Sequence, residues 1–214
     1  MKSQFRPSQF TLPKSQVLAI ANAPPNFRDR VLIKALYWAG LRRFECTALK
    51  IADVDFVKGA LWVRHGKGDK LRFVPFLDET FKSEMRHLIG KRVEGAVFLN
   101  ERSSVMTTRN VNHIVHQAAV LAGISHPNPQ EQSYNTRQGG VRFVSRRVNP
   151  HLFRHSIARH LKDEGWAVEW IQNFLGHDRL TTTTDTYGTM SIDDMSRYAA
   201  NKLSLPQQER RRVE

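Results

Sequence analysis

His151, Arg154, His177 and Tyr187 have the residue types that a tyrosine attacking a phosphodiester would need around it. Phosphoryl transfer spreads negative charge over the non-bridging oxygens, and guanidinium and imidazole groups are the side chains best suited to receive it. His151 and Arg154 stand at i and i+3, so on one helix they share a face and can address a single phosphate. His177 follows Leu175-Gly176 just past a predicted helix, where a turn can project an imidazole into a cleft. Tyr187 follows the hydroxyl-rich run Thr181 to Thr184 on a segment with few bulky apolar residues. Each has a plainer explanation alone: a solvated basic face for His151 and Arg154, since Arg159 and His160 follow, an exposed loop for His177, ordinary packing for Tyr187. Their convergence in one short stretch is what favours chemistry.

The elements that position this set come from one chain of 214 residues, enough for one sizeable core at 40% hydrophobic and 25% charged content. Lys+Arg of 33 against Asp+Glu of 20 gives a net charge of +13, which points to a polyanionic partner, with nucleic acid first. The basic residues are spread along the chain and not gathered on one amphipathic helix, which disfavours a membrane surface. No stretch approaches the roughly 20 apolar residues of a bilayer-spanning helix. The start, MKSQFRPSQFTLPKSQ, lacks the apolar segment of a secretory signal, so a cytoplasmic protein is expected. Cys46, the single cysteine, excludes an internal disulfide and a cysteine-rich metal site. His151 and His155 lie at i and i+4, but Leu152 stands where a zinc-binding HExxH motif needs glutamate. With no P-loop and no dense carboxylate cluster for Mg²⁺, no metal or other cofactor is expected.

Periodicity predicts an α+β fold, mainly helical with a small antiparallel sheet. Residues 1–12 read as an extended lead-in. Helices are predicted over Lys14 to Ala23, ended by Pro24-Pro25, and over Arg28 to Gly40 and Phe44 to Ile51, with Asp53-Val54-Asp55 as a turn. Ala60 to His65 and Leu71 to Phe76 form a hairpin around Gly66-Lys67-Gly68-Asp69. Asp78 to Leu88 is helical again, Ala96 to Leu99 a short strand, and Thr107 to Ala122 a helix ended by Gly123. Residues 125–149 read as an irregular insertion with a basic strand or hairpin. Helices resume from Pro150, at an N1-like position, to about Glu164, then from Val168 to Leu175 and from Ser191 to Leu203. A charged tail occupies 204–214.

The run HLFRHSIARHL, then FLGH, then Tyr187, resembles the signature of the tyrosine recombinases, the phage-integrase family. That family places an arginine after a Gly-Leu pair with an acidic residue three positions on, and Gly40-Leu41-Arg42-Arg43-Phe44-Glu45 is similar. It also places a lysine in a hairpin turn downstream, matched by Gly66-Lys67-Gly68. The resemblance covers about residues 13–203 and implies the tyrosine recombinase catalytic-domain fold. It implies site-specific recombination through a covalent 3′-phosphotyrosyl link, without metal or ATP. Tyr187 would be the nucleophile and Arg42, Arg154 and His177 the oxygen-stabilising groups. His151 would take the tyrosine proton, Lys67 would protonate the leaving 5′-oxygen, and Glu45 would orient the arginines.

Double-stranded DNA is the implied partner, bound by a homo-tetramer that is monomeric when free, with Arg43, Lys70, Arg142, Arg146 and Arg147 as DNA contacts. The helix from Ser191 to Leu203 is the part implied to exchange between subunits, packing on its own core being the alternative. A prokaryotic, phage, plasmid or transposon origin is implied as well. Three departures stand out. The step from His177 to Tyr187 is one residue longer than usual, residues 125–149 are longer than the usual link, and the family's N-terminal clamp domain is missing. Two rival classes remain at this point: a type IB topoisomerase-like enzyme with the same chemistry, and a basic DNA-binding module with a dead site.

Overall fold

The computed structural model describes residues 11–64, 71–124, 133–135, 141–143, 148–176 and 197–200, with only the backbone given for 133–135 and 141–143. Seven helices and two small sheets are defined among these residues. Helices α1 (Lys14–Asn22), α2 (Phe27–Trp38) and α3 (Arg43–Ala48) come first, followed by a single 3-10 turn at Ile51–Asp53. Strands β1 (Val54–Asp55), β2 (Ala60–Arg64) and β3 (Leu71–Pro75) form one antiparallel sheet in that order. Helices α4 (Glu79–Ile89) and α5 (Thr108–Leu121) follow, then strands β4 (Ser133–Asn135) and β5 (Val141–Phe143), and finally α6 (Pro150–Asp163) and α7 (Val168–Leu175).

Helix α2 is the centre of the molecule. Val31 to Tyr37 are buried without interruption, so it has no solvent face there, as expected of a helix surrounded by others. Lys34 falls inside that run and is neutralised by Glu84 of α4, with Nζ 2.6 and 2.8 Å from the two carboxylate oxygens. Tyr37 donates to or accepts from His160 Nδ1 of α6 at 2.7 Å, closing the other side. The caps explain where helices begin. Asp78 accepts from Phe81 N at 2.7 Å, and Thr107 and Asn110 cap each other reciprocally. Asn149 accepts from the amides of His151 and Leu152 ahead of α6, whose N1 residue Pro150 has no amide to satisfy.

The hairpin expected around residue 67 is present, with Val63 opposite Arg72 and Arg64 opposite Leu71. Successive side chains alternate between faces. Leu61, Val63 and Val74 join the main core, while Ala60 and Phe73 form a satellite cluster with Trp62 and Trp170. A second antiparallel pair, β4 with β5, lies within the expected insertion, with Tyr134 opposite Arg142.

Three expectations are corrected. Residues 54–55 form a strand and not a turn, because they pair with the open edge of β2 as Val54 with Leu61 and Asp55 with Ala60. Ala96 to Leu99 makes only two isolated bridges, Lys50 with Ala96 and Leu99 with Val105, because the chain passes from one partner to another. Helix α3 stops at Ala48 and does not reach Ile51, since Leu49 carbonyl accepts from Val97 N at 2.8 Å and Ile51 N donates to Gly95 carbonyl at 2.9 Å. Of the predicted last helix, residues 197–200 are helical and the remainder lies outside the described residues. Tyr198 stacks on Trp170 with ring centroids 4.3 Å apart, and Ala199 is buried.

Candidate phosphate-binding site

The site is organised around one carboxylate. Glu45 lies on the first turn of α3 and is 2% exposed. Its Oε2 accepts from the Arg42 amide at 2.8 Å, capping the helix, while its Oε1 accepts from Arg42 Nη1 at 2.8 Å. The helix cap and the guanidinium anchor are thus the same side chain. Arg42 Nη2 also donates to the Gly176 carbonyl at 3.1 Å, which ties the start of α3 to the end of α7.

Arg154, on α6, reaches the same place from the other side. Its Nη1 donates to the Gly40 carbonyl and its Nη2 to the Leu175 carbonyl, and Nη1 stands 4.0 Å from Glu45 Oε2. Gly40 makes this approach possible. Its φ of +55° belongs to the left-handed region, and a Cβ there would stand 2.8 Å from Leu175 Cδ2 and 3.1 Å from Phe174 Cε1.

A third guanidinium completes the cluster, and the sequence reading missed it. Arg72 of β3 donates Nη1 to Glu45 Oε1 at 2.6 Å and Nη2 to Oε2 at 2.7 Å, a two-pronged buried pair. Its Nε donates to the Phe174 carbonyl at 3.1 Å. The signal was available in strand alternation: Arg72 shares the core-facing side of β3 with Val74, so a charge there requires a buried counter-charge.

Three cations around one carboxylate set the electrostatics. Burial by itself would push the Glu45 pKa up, but the hydrogen bonds and charge of Arg72, with Arg42 and Arg154, hold it at about 2. Arg154 is lowered to about 9, by burial first and then by the neighbouring cations Arg72 and Arg42, with Glu45 acting the other way. It stays protonated at neutral pH. His151 stands at the exposed start of α6, its ring 4.2 Å from that of His155. Partial desolvation, then His155, Arg154 and Arg42, lower its pKa below 6.5, so the imidazole is neutral near pH 7.

Arg42, Glu45, His151 and Arg154 are therefore brought to one site as expected. Arg43 is exposed and lines a cleft that runs past Arg42 and His151 to α5. On α5, Arg109, Asn112, His113 and His116 face this cleft at i, i+3, i+4 and i+7. Helical periodicity marked the opposite, apolar face of that helix, and the polar stripe was passed over as ordinary solvent-facing surface. Arg142 lies on β5, of which only the backbone is described. Lys67, Lys70, Arg146, Arg147, His177 and Tyr187 lie outside the described residues, although β2 and β3 flank the Lys67 turn and Gly176 immediately precedes His177. Among the described residues, no group of three His, Cys, Asp or Glu side chains could hold a metal ion. No helix among them is long and apolar enough to cross a membrane.

A helical shell around a three-stranded sheet, with two of its arginines converging from α3 and α6 on one buried glutamate, defines the tyrosine recombinase catalytic-domain fold. The chain belongs to the phage integrase family, whose model matches residues 11–191. It is 34% identical over 173 residues to tyrosine recombinase XerC of Halalkalibacterium halodurans, covering 76% of this chain and 50% of that protein. It is 33% identical over 187 residues to tyrosine recombinase XerA of Thermococcus kodakarensis, covering 85% and 57%. The chain thus spans about half the length of these curated relatives. Among solved structures, the XerA recombinase aligns with a TM-score of 0.65 at 22% identity, covering 92% of this chain and 65% of that one. The lambda integrase catalytic core aligns with a TM-score of 0.58 at 18% identity, covering 80% of this chain and 94% of that one.

Proposed function

We propose that this chain is the catalytic domain of a site-specific DNA recombinase, spanning about residues 13–203, that cuts and rejoins DNA through a covalent 3′-phosphotyrosyl intermediate. The observation that carries the reading is the convergence of Arg42 and Arg154, from two helices far apart in sequence, on the single buried carboxylate of Glu45. Two permanent cations held by a carboxylate that itself stays out of the cleft form a preorganised seat for a phosphodiester, and preorganisation of this kind usually supplies the largest part of catalysis.

In the proposed reaction the Tyr187 oxygen attacks phosphorus, the bond to the 5′-oxygen breaks, and Lys67 protonates that oxygen as it leaves. His151, held neutral by its surroundings, receives the tyrosine proton. Arg42, Arg154 and His177 carry the charge on the non-bridging oxygens. The phosphotyrosine conserves the bond energy for rejoining, so neither metal nor nucleotide enters a step.

Double-stranded DNA is the proposed substrate, supported by the net charge of +13 and by the basic cleft. The α5 stripe suits recognition, since Arg109 and Asn112 are side chains that pair in two-pronged fashion with guanine and adenine edges. Arg43, Lys70, Arg142, Arg146 and Arg147 are assigned to DNA contact as well. A homo-tetramer assembled on DNA is the proposed working form, and a mobile-element origin fits the chemistry.

The reading is tested by incubating the protein with nicked duplexes of randomised sequence and denaturing with SDS. Trapped adducts should carry a 3′-phosphate linked to the peptide containing Tyr187, located by mass spectrometry of the digest. Linkage through a 5′-phosphate, attachment at another residue, or no adduct would overturn it. The same assay run against pH tests His151. Because its pKa lies below 6.5, the cleavage rate should hold level from neutral pH down past 6.5 and fall only in more acid solution. His151→Gln should remove that acid fall along with most of the rate.

A further inference from the structure

Arg72 has no part in the reaction as proposed, yet it makes the tightest polar contacts of the site. Its side chain is 6% exposed, and Nε, Nη1 and Nη2 are directed to the Phe174 carbonyl, Glu45 Oε1 and Glu45 Oε2. These acceptors belong to two different elements. Glu45 is on α3, next to Arg42, and Phe174 is in the last turn of α7, three residues before His177. Arg72 itself is the second residue of β3, directly after the turn that contains Lys67.

We infer that Arg72 is a positioning residue that fixes the β2–β3 hairpin to α3 and α7, and so sets where Lys67 stands relative to Arg42 and His177. The inference rests on the function proposed above. The hairpin has few other ways to hold that position. β2 and β3 pair with each other and β2 with the two-residue strand β1, so the pairing does not join the Lys67 turn to any helix. Opposite Arg72 in the register stands Val63, which packs in the core but carries no polar anchor.

The chemistry of the contact calls for arginine. Two carboxylate oxygens and one carbonyl are met by three donors lying in a single plane, a geometry a guanidinium supplies and an ammonium does not. A lysine at this position could neutralise Glu45 but could not also hold Phe174. Arg72 is also buried behind Glu45, so its role is to place other groups and not to touch the phosphate.

Arg72→Lys separates these possibilities, because it keeps the charge that Glu45 needs and sacrifices the three-way geometry. Cleavage of nicked duplexes is measured with the ordinary 5′-bridging oxygen and with sulfur in its place, a leaving group that departs without protonation. On the oxygen substrate the variant should be slower by about 10²-fold, the scale of a misplacement near 1 Å. On the sulfur substrate it should come within about tenfold of the unmutated protein, and Lys67→Ala should show the same recovery. Equal losses on both substrates would mean a purely structural role and overturn the inference, as would no loss on either. The slope of log affinity against log salt should be unchanged, whereas a fall of about one would make Arg72 a phosphate contact and overturn the inference too. Failure of the unmutated protein to form any adduct would instead remove the proposed function, and this inference with it.

Discussion

Glu45→Ala is expected to destabilise the fold by about 3–5 kcal/mol, the range for removing one partner from a buried ion pair. The cost arises from what remains. Arg72 and Arg154 have side chains 6% and 3% exposed, and without Glu45 they become neighbouring buried cations whose compensating charge is gone. The cap on α3 is lost as well, since Glu45 Oε2 is the acceptor for the Arg42 amide. Cleavage should fall by at least about 10²-fold, because Arg42 loses its anchor at the same time. Glu45→Gln keeps the shape and one acceptor oxygen, so its cost should be smaller in both respects.

The pH dependence gives this prediction a second handle. With its folded pKa near 2 and an ordinary value of 4.5, Glu45 stabilises the fold fully above pH 4.5. That contribution disappears as acid carries the protein from about 4.5 down towards 2. Urea unfolding followed across this range should show the unmutated protein and Glu45→Ala converging in stability as pH falls. A constant difference between them would mean that Glu45 acts through packing and not through charge.

The legible parts of this molecule were those governed by local rules. Helix periodicity located α1, α2, α4, α5, α6 and α7 to within a few residues, and the caps at Asp78, Thr107 and Asn149 are sequence-local signals that the structure uses directly. The hairpin was legible because Gly66 to Asp69 interrupts two β-rich runs. What escaped depended on contacts distant in sequence. β1 is a strand only because β2 offers it an edge, and residues 96–99 are divided between two bridging partners.

The site divides the same way. Arg42, Glu45, His151 and Arg154 could be named from motif spacing, but no spacing shows that a carboxylate on α3 is shared with a strand 27 positions downstream. Arg72 was hidden among the apolar residues of β3, where attention to Leu71, Phe73 and Val74 as strand formers obscured the one charge on the core-facing side. The α5 stripe escaped for the opposite reason. Polar residues on a helix surface are the default, and only the position of Arg43 and His151 across the same cleft sets Arg109, Asn112 and His116 apart.

Gly40→Ala should cost about 2–4 kcal/mol and reduce cleavage by roughly 10²-fold, a large response to one methyl group. Two effects add. An alanine at φ +55° is strained by about 1–2 kcal/mol, and extra volume in a packed core costs about 1–3 kcal/mol. The new Cβ would press on Leu175 Cδ2 at 2.8 Å and on Phe174 Cε1 at 3.1 Å, both residues of the buried end of α7. The consequence for the site follows from the backbone at those same residues. The carbonyls of Gly40 and Leu175 are the two acceptors that aim Arg154, and the Phe174 carbonyl holds Arg72. Pushing α7 away from Gly40 therefore disturbs two of the three guanidinium groups together. Adding Leu175→Ala to Gly40→Ala removes the closest clash, so the double variant should be less destabilised than the sum of the two single changes, by more than about 0.5 kcal/mol. Strict additivity in urea unfolding, or a Gly40→Ala protein as stable and as active as the original, would show that the glycine is not what allows α7 to close over Arg154.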